Sequence, residues 1–424
     1  MIGNSSPAVP DPSPSPPDDV RMRGFTRRVT VDDALLWVAA HARPLDSTSV
    51  SLDLAAGRVL AADVCSTVDV PGFRRAMMDG YAIVAEDSQG AAPYNRLPLV
   101  IQGEVLPGQQ FTGRVERGSA VRIMTGAPLP DGADAVLPAE MVEEDGQRIL
   151  AHGSVPPMKH VGQVGEDVVR GTTILPAGRR LRPQDLGVLS SVGVGQVEVV
   201  RRPRVRIVVT GNELLPPGTA PRGCQITDAN SPMLVALAAR DGADVIHPGI
   251  VGDEPEEILA GMRGAAELVV VSGGSSVGRE DHAPRLLAEH GQLAIHGIAI
   301  RPSSPAGMGL LDDRLVFLLP GNPVSCLCAY DFFAGPAIRA LGGRTAEWPY
   351  PSRSIPLARK LVSVIGRVDY ARVTIEGDQA IPLAIGGASV LSSTTRADGF
   401  VVIAADSEGF PPGTHVDVQL YDRP

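Results

Sequence analysis

The residues best suited to chemistry lie between Leu268 and His282, in LVVVSGGSSVGREDH. Ser272-Gly273-Gly274-Ser275-Ser276-Val277-Gly278 combines glycines, which let bare N–H groups approach an anion, with hydroxyls that can donate to one. Glu280 and Asp281 follow, and Asp281 is placed to cap a helix running through Leu286 and Leu287 to Gly291. A glycine-rich loop beside an acidic helix start suits a phosphate held next to a cation-binding carboxylate. Taken alone, the same residues read equally well as a tight strand-to-helix turn.

The surrounding elements move that balance. Leu268 to Val271 is a short β-branched run, expected to be a strand buried on both faces. From Arg204 to about Leu341 strand and helix patterns alternate: Val205 to Val209, a helix opened by Ser231-Pro232 through Arg240, and Asp244 to Ile250 as mostly strand. A helix opened by Asp253-Glu254-Pro255, a strand over Leu315 to Leu319, and a long apolar helix opened by Gly321-Asn322-Pro323 complete the series. This alternation predicts an open, mostly parallel sheet covered by helices, which binds ligands outside the carboxyl ends of its strands. Those ends carry Thr210-Gly211-Asn212-Glu213, Asp253, Ser272 to Asp281, and Pro320-Gly321-Asn322-Pro323. A purely structural chain would have to place Glu213, Asp253 and Asp281 on that rim by chance, so the rim is read as functional. Hard carboxylate oxygens there suit a cation.

With 424 residues the chain exceeds one core, so roughly two to four domains are expected. A net charge of −10 argues against a nucleic-acid surface but leaves room for a locally basic or amide-lined anion pocket. Cys65, Cys224, Cys326 and Cys328 lack CxxC spacing, and the histidines form no HxxxH or HExxH pattern. Incidental thiols of a reduced cytoplasmic protein are therefore expected rather than a zinc site. No apolar stretch is expected to approach the roughly 20 residues of a membrane span, and the N-terminus reads as no signal peptide.

Residues 1–24, rich in Pro, Ser and Asp, read as a disordered tail. Thr30 then caps a helix with Val31, Ala34, Leu35, Val38 and Ala42 on one face. From Ser47 to about His160 short β-type runs are broken by Gly and Pro, with Asp79-Gly80 and Thr125-Gly126 each offering a side-chain oxygen beside flexible backbone. A helix near Pro183 to Ser191 follows, Arg201-Arg202-Pro203 reads as a linker, and Trp348 to Pro424 reads as a small separate β-domain or barrel.

In this order the segments resemble the molybdopterin molybdenumtransferase family, relatives of the E domain of gephyrin. The matching motifs are MDGYA (from Met78), RIMTGAPLPDGADAV (from Arg122), GED (from Gly165), TGNEL (from Thr210), ITDAN (from Ile226), SGGSSVGREDH (from Ser272) and LPGNPVS (from Leu319). They span about Arg28 to Asp422. The resemblance implies a multidomain fold of α/β and β parts: a Rossmann-like molybdopterin-binding α/β domain, β-rich N-terminal domains and a C-terminal β-barrel-like domain. The implied boundaries are a linker domain in two pieces (25–46 and 161–200), the MDGYA domain (47–160), the α/β domain (201–346) and the C-terminal β-domain (347–424).

The implied reaction inserts molybdenum from molybdate into adenylylated molybdopterin, with Mg2+ assisting release of AMP. Glu213, Asp253 and Asp281 would be the metal ligands and, with Asp79 and Thr125 reaching in from the other subunit of an elongated homodimer, the catalytic set. Asp167, Asp228, Ser272, Gly273, Gly274, Ser275, Ser276, Gly278, Pro320, Gly321 and Asn322 would bind substrate. Ser325 and Arg372 match molybdate-site positions, and Arg301 would hold the oxyanion. A molybdopterin adenylyltransferase and molybdoenzyme maturation factors are the implied partners, with neither nucleic acid nor membrane.

The chain also departs from the family. The pattern K-x-x-x-K-P-G-K-P reads Gly297-Ile298-Ala299-Ile300-Arg301-Pro302-Ser303-Ser304-Pro305, losing lysines at Gly297 and Ser304. His160-Val161-Gly162 loses an arginine, a serine becomes Ala76, and another falls on Ala388, with Ser389 beside it. The retained acids favour an insertase, and the lost cations favour a non-catalytic dimeric scaffold for binding or assembly. A single-domain adenylyltransferase is disfavoured by the additional β domains. Neither the metal, molybdenum or tungsten, nor the recipient enzyme follows from these residues.

Overall fold

A computed structural model describes residues 28–274, 281–384 and 386–422. The expected tail (1–24) and Ser275, Ser276 and Gly278 lie outside the described residues. The chain divides into two units, one built from the chain up to Thr48 and from Val200 onward, the other from Ser49 to Val199.

In the first unit the alternating pattern becomes a seven-stranded sheet. Its strands are β1 (Arg204–Thr210), β2 (Asp244–Ile246), β3 (Ile250–Val251), β4 (Leu268–Ser272), β5 (Gln292–His296), β6 (Gly307–Leu311) and β7 (Arg314–Leu319). The order is β2-β1-β4-β7-β6-β5, with β3 also on β1. Strands β1 to β4 and β7 pair in parallel, whereas β6 pairs antiparallel with both β7 and β5. The single strand expected over Asp244 to Ile250 is interrupted, so that β2 and β3 pair with different parts of β1. Every residue of β4 is buried, as its unbroken apolar run predicts. Burying each such Val or Leu contributes roughly 1.5–3 kcal/mol.

The helices are α1 (Val31–His41), α2 (Asn230–Arg240), α3 (Pro255–Met262), α4 (Ala283–His290) and α5 (Pro323–Leu341). Thr30 caps α1 as expected, its Oγ1 accepting from the Asp33 N–H at 3.1 Å. Ala34 and Val38 of α1 join the core formed by β1, β4, β7 and α5. The expectation of a capping Asp281 is corrected. His282 occupies the N-cap position without a side-chain cap, and the Ala283 N–H donates to the Gly274 carbonyl at 3.3 Å. The loop's own backbone thus serves a helix-start amide. A second correction concerns hydropathy: α5 has 19 residues and is long and apolar enough to cross a membrane, but 94% of its apolar window is buried inside the structure. It is a core helix buried nearly all round, with Asp331 and Arg339 buried in it. Residues Tyr330–Ala334 form a π turn within it. The turn ends two residues before Pro336, which has no N–H to give to the carbonyl one turn back.

The C-terminal segment is less separate than expected. Strands Ser352–Pro356, Val368–Glu376, Gln379–Ala384, Gly399–Ile403 and His415–Leu420 form a sheet with their own core, including Ile355, Val373, Val401 and Val418. Ile300–Arg301 joins this sheet in parallel, opposite Val368 and Asp369, and Tyr370 and Phe400 pack into the α/β core.

The second unit holds a six-stranded sheet with an apolar cluster on each face. Its strand Gly80–Ile83 lies between Ser119–Ile123 and Ala135–Pro138. Gly80 is required there, because a Cβ would lie 2.1 Å from the Leu137 carbonyl oxygen.

Candidate functional site

Register builds the site. Val209 of β1 is level with Ser272 of β4, and Ser272 with Leu319 of β7. The three following loops therefore leave the sheet at one height. Together with the Asp253 loop they line a cleft of about 580 Å3, bordered by Glu213, Asp228, Asn230, Asp253, Ser272, Gly273, Gly274, Asp281, Pro320, Gly321 and Asn322. Gly273, at φ +100°, passes so close to β1 that a Cβ would meet the Thr210 carbonyl oxygen at 2.4 Å.

Hydrogen bonds sort the acids. Asp253 accepts from the Asn212 N–H at 2.9 Å, and its own N–H donates to Asn212 Oδ1 at 3.3 Å, clasping two rim loops together. Asp228 is buried and accepts from the N–H groups of Asn230 (2.8 Å) and Ser231 (3.0 Å) and from the Ser231 hydroxyl. Its carboxylate serves the N-terminus of α2. Glu213 is exposed, and Asp253 and Asp281 are half-buried on the cleft wall.

Among the described residues no group of three or more His, Cys, Asp or Glu is already gathered to hold a metal ion. Mg2+ needs none, because it binds through one or two carboxylates and completes its octahedron with water and substrate phosphates. Glu213, Asp253 and Asp281 offer the hard oxygens it prefers, so the donor set fits that ion.

Two polar groups in the cleft were not singled out by residue type. Asn230 Nδ2 donates to Ser272 Oγ at 2.9 Å and to the Gly321 carbonyl at 2.7 Å, tying α2 to two rim loops. Its Oδ1 and the Thr210 hydroxyl are buried without hydrogen-bond partners, which suits ligand donors arriving in the cleft. The ITDAN motif contained Asn230, but only the fold shows what it bridges. Cys326 lies beneath, its sulfur 3.5 Å from Ser272 Oγ, and burial pushes its thiol up to about 12. It is no nucleophile at neutral pH.

Pro305 and Ser389 extend the cleft toward a second polar cluster. Ser303 Oγ donates to the Ser325 carbonyl at 2.5 Å, and the Val324 N–H donates to the Ala388 carbonyl at 2.9 Å. Arg372 is fully buried there and donates through Nη2 to the Gly386 carbonyl, while its Nε and Nη1 have no partner. Burial pushes its pKa down. Ser325 is buried in the first turn of α5. Arg301 differs. Its Nε donates to Asp369 Oδ1 at 2.9 Å and its Nη2 to Oδ2, so one edge of the fork is committed to a buried carboxylate.

In the second unit, Asp79 ends the turn before Gly80–Ile83 and Thr125 follows Ser119–Ile123, with Gly80 opposite Ile123. Asp79 Oδ1 accepts from the Thr125 N–H (2.7 Å) and hydroxyl (2.8 Å), which hold its carboxyl below the usual carboxylate range. Both residues are exposed, as is Asp167, whose N–H donates to the Val70 carbonyl at 3.0 Å.

Comparison with known proteins matches the chain in three segments. Residues 29–193 match the MoeA N-terminal region (domain I and II), 206–340 a probable molybdopterin binding domain, and 354–421 the MoeA C-terminal region (domain IV). Molybdopterin molybdenumtransferase 2 of Mycobacterium tuberculosis is 32% identical over 394 residues, covering 90% of this chain and 96% of that protein. The molybdopterin molybdenumtransferase of Haemophilus influenzae is 31% identical over 390 residues, covering 90% and 95%. The crystal structure of a molybdopterin biosynthesis MoeA protein from Pyrococcus superposes with a TM-score of 0.81 at 33% identity, covering 94% of this chain and all of that one. Identity at that level along nearly the whole of both chains, in sequence and in fold, decides the assignment: this chain belongs to the molybdopterin molybdenumtransferase family.

Proposed function

We propose that this protein, a transferase of molybdenum cofactor biosynthesis by its family, inserts molybdenum from molybdate into adenylylated molybdopterin and releases AMP. The observation that carries the reading is the shared register of Val209, Ser272 and Leu319, which brings three loops and the Glu213, Asp253 and Asp281 carboxylates onto one cleft. The Gly273-Gly274 backbone and the Asn322-Pro323 start of α5 would receive the phosphate end of the substrate. Asn230 would hold the rim loops at a fixed spacing and present its unpartnered Oδ1 to the ligand. Asp253, Asp281 and Glu213 would hold Mg2+, which when bound neutralises phosphate charge during cleavage of the anhydride. Arg372 and Ser325 would take the molybdate. A buried cation with two unpartnered donors is costly, and a tetrahedral oxyanion satisfies both donors and charge.

The remaining assignments are part of the same proposal. They are the domain division at 25–46 with 161–200, 47–160, 201–346 and 347–424, a cytoplasmic homodimer, and an upstream adenylyltransferase as partner. The partner subunit's Asp79 and Thr125 would complete each cleft, with Asp167 and Asp228 near it.

The test is AMP release from adenylylated molybdopterin by purified protein, with and without molybdate and Mg2+. Release that needs both and is lost in Asp281→Asn supports the insertase. Binding of the pterin without any AMP release replaces it with the scaffold reading.

A further inference from the structure

Around the Arg301–Pro305 turn the charges do not lie where residue types put them. Arg301 faces the fully buried Asp369, which Ser363 Oγ also bonds at 2.5 Å and Arg367 Nε approaches at 3.8 Å, so one edge of the Arg301 fork is committed within the fold. A second arginine arrives from far away in sequence: Arg28 Nε donates to Ser304 Oγ at 2.7 Å. Its backbone is anchored by the residues that follow it. The Val29 N–H donates to the Gly297 carbonyl at 3.0 Å, the Ala299 N–H donates to the Val29 carbonyl at 2.8 Å, and Thr30 caps α1 immediately after. No carboxylate among the described residues forms an ion pair with Arg28. Ser303, next to Ser304, is tied to the Ser325 carbonyl, and Pro305 lines the cleft.

We propose that Arg28 is the rim cation of the oxyanion site, holding a doubly charged tetrahedral oxyanion jointly with buried Arg372. This rests on the assignment of molybdate to Arg372 and Ser325. A dianion needs about two positive charges for neutrality. Arg372 supplies one from inside, Arg301 has two of its donors committed to Asp369, and Arg28 supplies the second at the mouth. Placing that charge on an arginine outside the turn lets Ser304 act as the hydrogen-bond partner that orients it.

The experiment is calorimetric titration of the full-length protein with molybdate at low and at high ionic strength. Arg28→Gln removes the charge but leaves an amide able to reach Ser304. It should weaken molybdate binding about five- to tenfold at low salt, and by less at high salt, because the group is exposed and screened. Adding Ser304→Lys to Arg28→Gln should restore most of the affinity by returning a cation to the same place. Arg372→Met serves as the reference. If Arg372→Met abolishes binding while Arg28→Gln binds as the parent does at low salt, Arg28 is not part of the site, and the oxyanion assignment survives without it. If Arg372→Met also binds as the parent does, the oxyanion assignment falls and this inference with it.

Discussion

The strand-end cleft and the pocket around Arg372 are polar in opposite ways. The cleft gathers carboxylates from exposed Glu213 to buried Asp228, and two of them already serve the fold: Asp253 clasps a loop and Asp228 caps α2. The pocket contains one buried guanidinium with two donors unpartnered. The first arrangement is stable without ligand and attracts a cation. The second carries a desolvated charge that the fold does not neutralise, and so favours an anion. Two arginines in the same region sharpen the contrast. Arg301 is neutralised by Asp369 and belongs to the architecture, whereas Arg372 is held over for a ligand.

The largest effect is expected in the cleft. Asp281→Asn or Asp253→Asn should lower AMP release roughly a hundredfold or more, as loss of a metal carboxylate does. Melting should hardly change, since both sites are half-buried on the cleft wall and an Asn amide oxygen at 253 can still accept from the Asn212 N–H. Parental rates in both variants would remove these residues from the chemistry.

Arg372→Met tests the other side. Saturating molybdate should raise parental stability by about 2.7 kcal/mol at a hundredfold excess over Kd, and the variant should lose that gain. Without molybdate the variant should be as stable as the parent or up to about 1–4 kcal/mol more so, because a buried unpaired charge is gone. A variant that is much less stable in the absence of oxyanion would show Arg372 to be structural.

Arg301→Ala should behave in the reverse manner. It leaves the Asp369 carboxylate buried with Ser363 and the more distant Arg367 as remaining partners, at a cost of about 2–3 kcal/mol in thermal or denaturant unfolding, with or without molybdate. If stability is unchanged and only molybdate binding suffers, the two arginines have exchanged roles.

The smallest effect is expected at Asp228→Ala. Loss of the α2 cap should cost about 1–2 kcal/mol. Unchanged unfolding with lost pterin binding would place Asp228 among the ligand groups instead.

These comparisons mark what the sequence made legible. The β-branched runs at Val205 and Leu268 specified a parallel sheet, and strand ends in such a sheet specify a rim, so Glu213, Asp253 and Asp281 could be placed on one cleft from periodicity alone. Local chemistry was equally readable where it stayed local, as in the Thr30 cap. What escaped was every interaction whose partner lies far along the chain: Arg301 with Asp369, Arg28 with Ser304, and Asn230 with Gly321. Residue type gives a guanidinium its charge but does not say which carboxylate cancels it. The Asp281 cap was misjudged for a related reason, since a side chain competes with backbone carbonyls that only the folded loop brings near. The apolar length of α5 was hidden by Asp331 and Arg339, which the core accommodates through partners on other elements.

The pairing of Ile300 and Arg301 with Val368 and Asp369 constrains the order in which the chain can be assembled. A ribosome delivers β1, β4, β7 and α5 in sequence, yet Tyr370 and Phe400 complete the same core and are synthesised last. Until they arrive, the Ile300 edge is unpaired and Arg301 has no counter-charge, so a nascent chain ending near residue 346 exposes an open strand edge and apolar surface. The C-terminal segment therefore closes the α/β unit rather than appending to it, and its late synthesis makes that unit dependent on protection from aggregation until the final strands emerge.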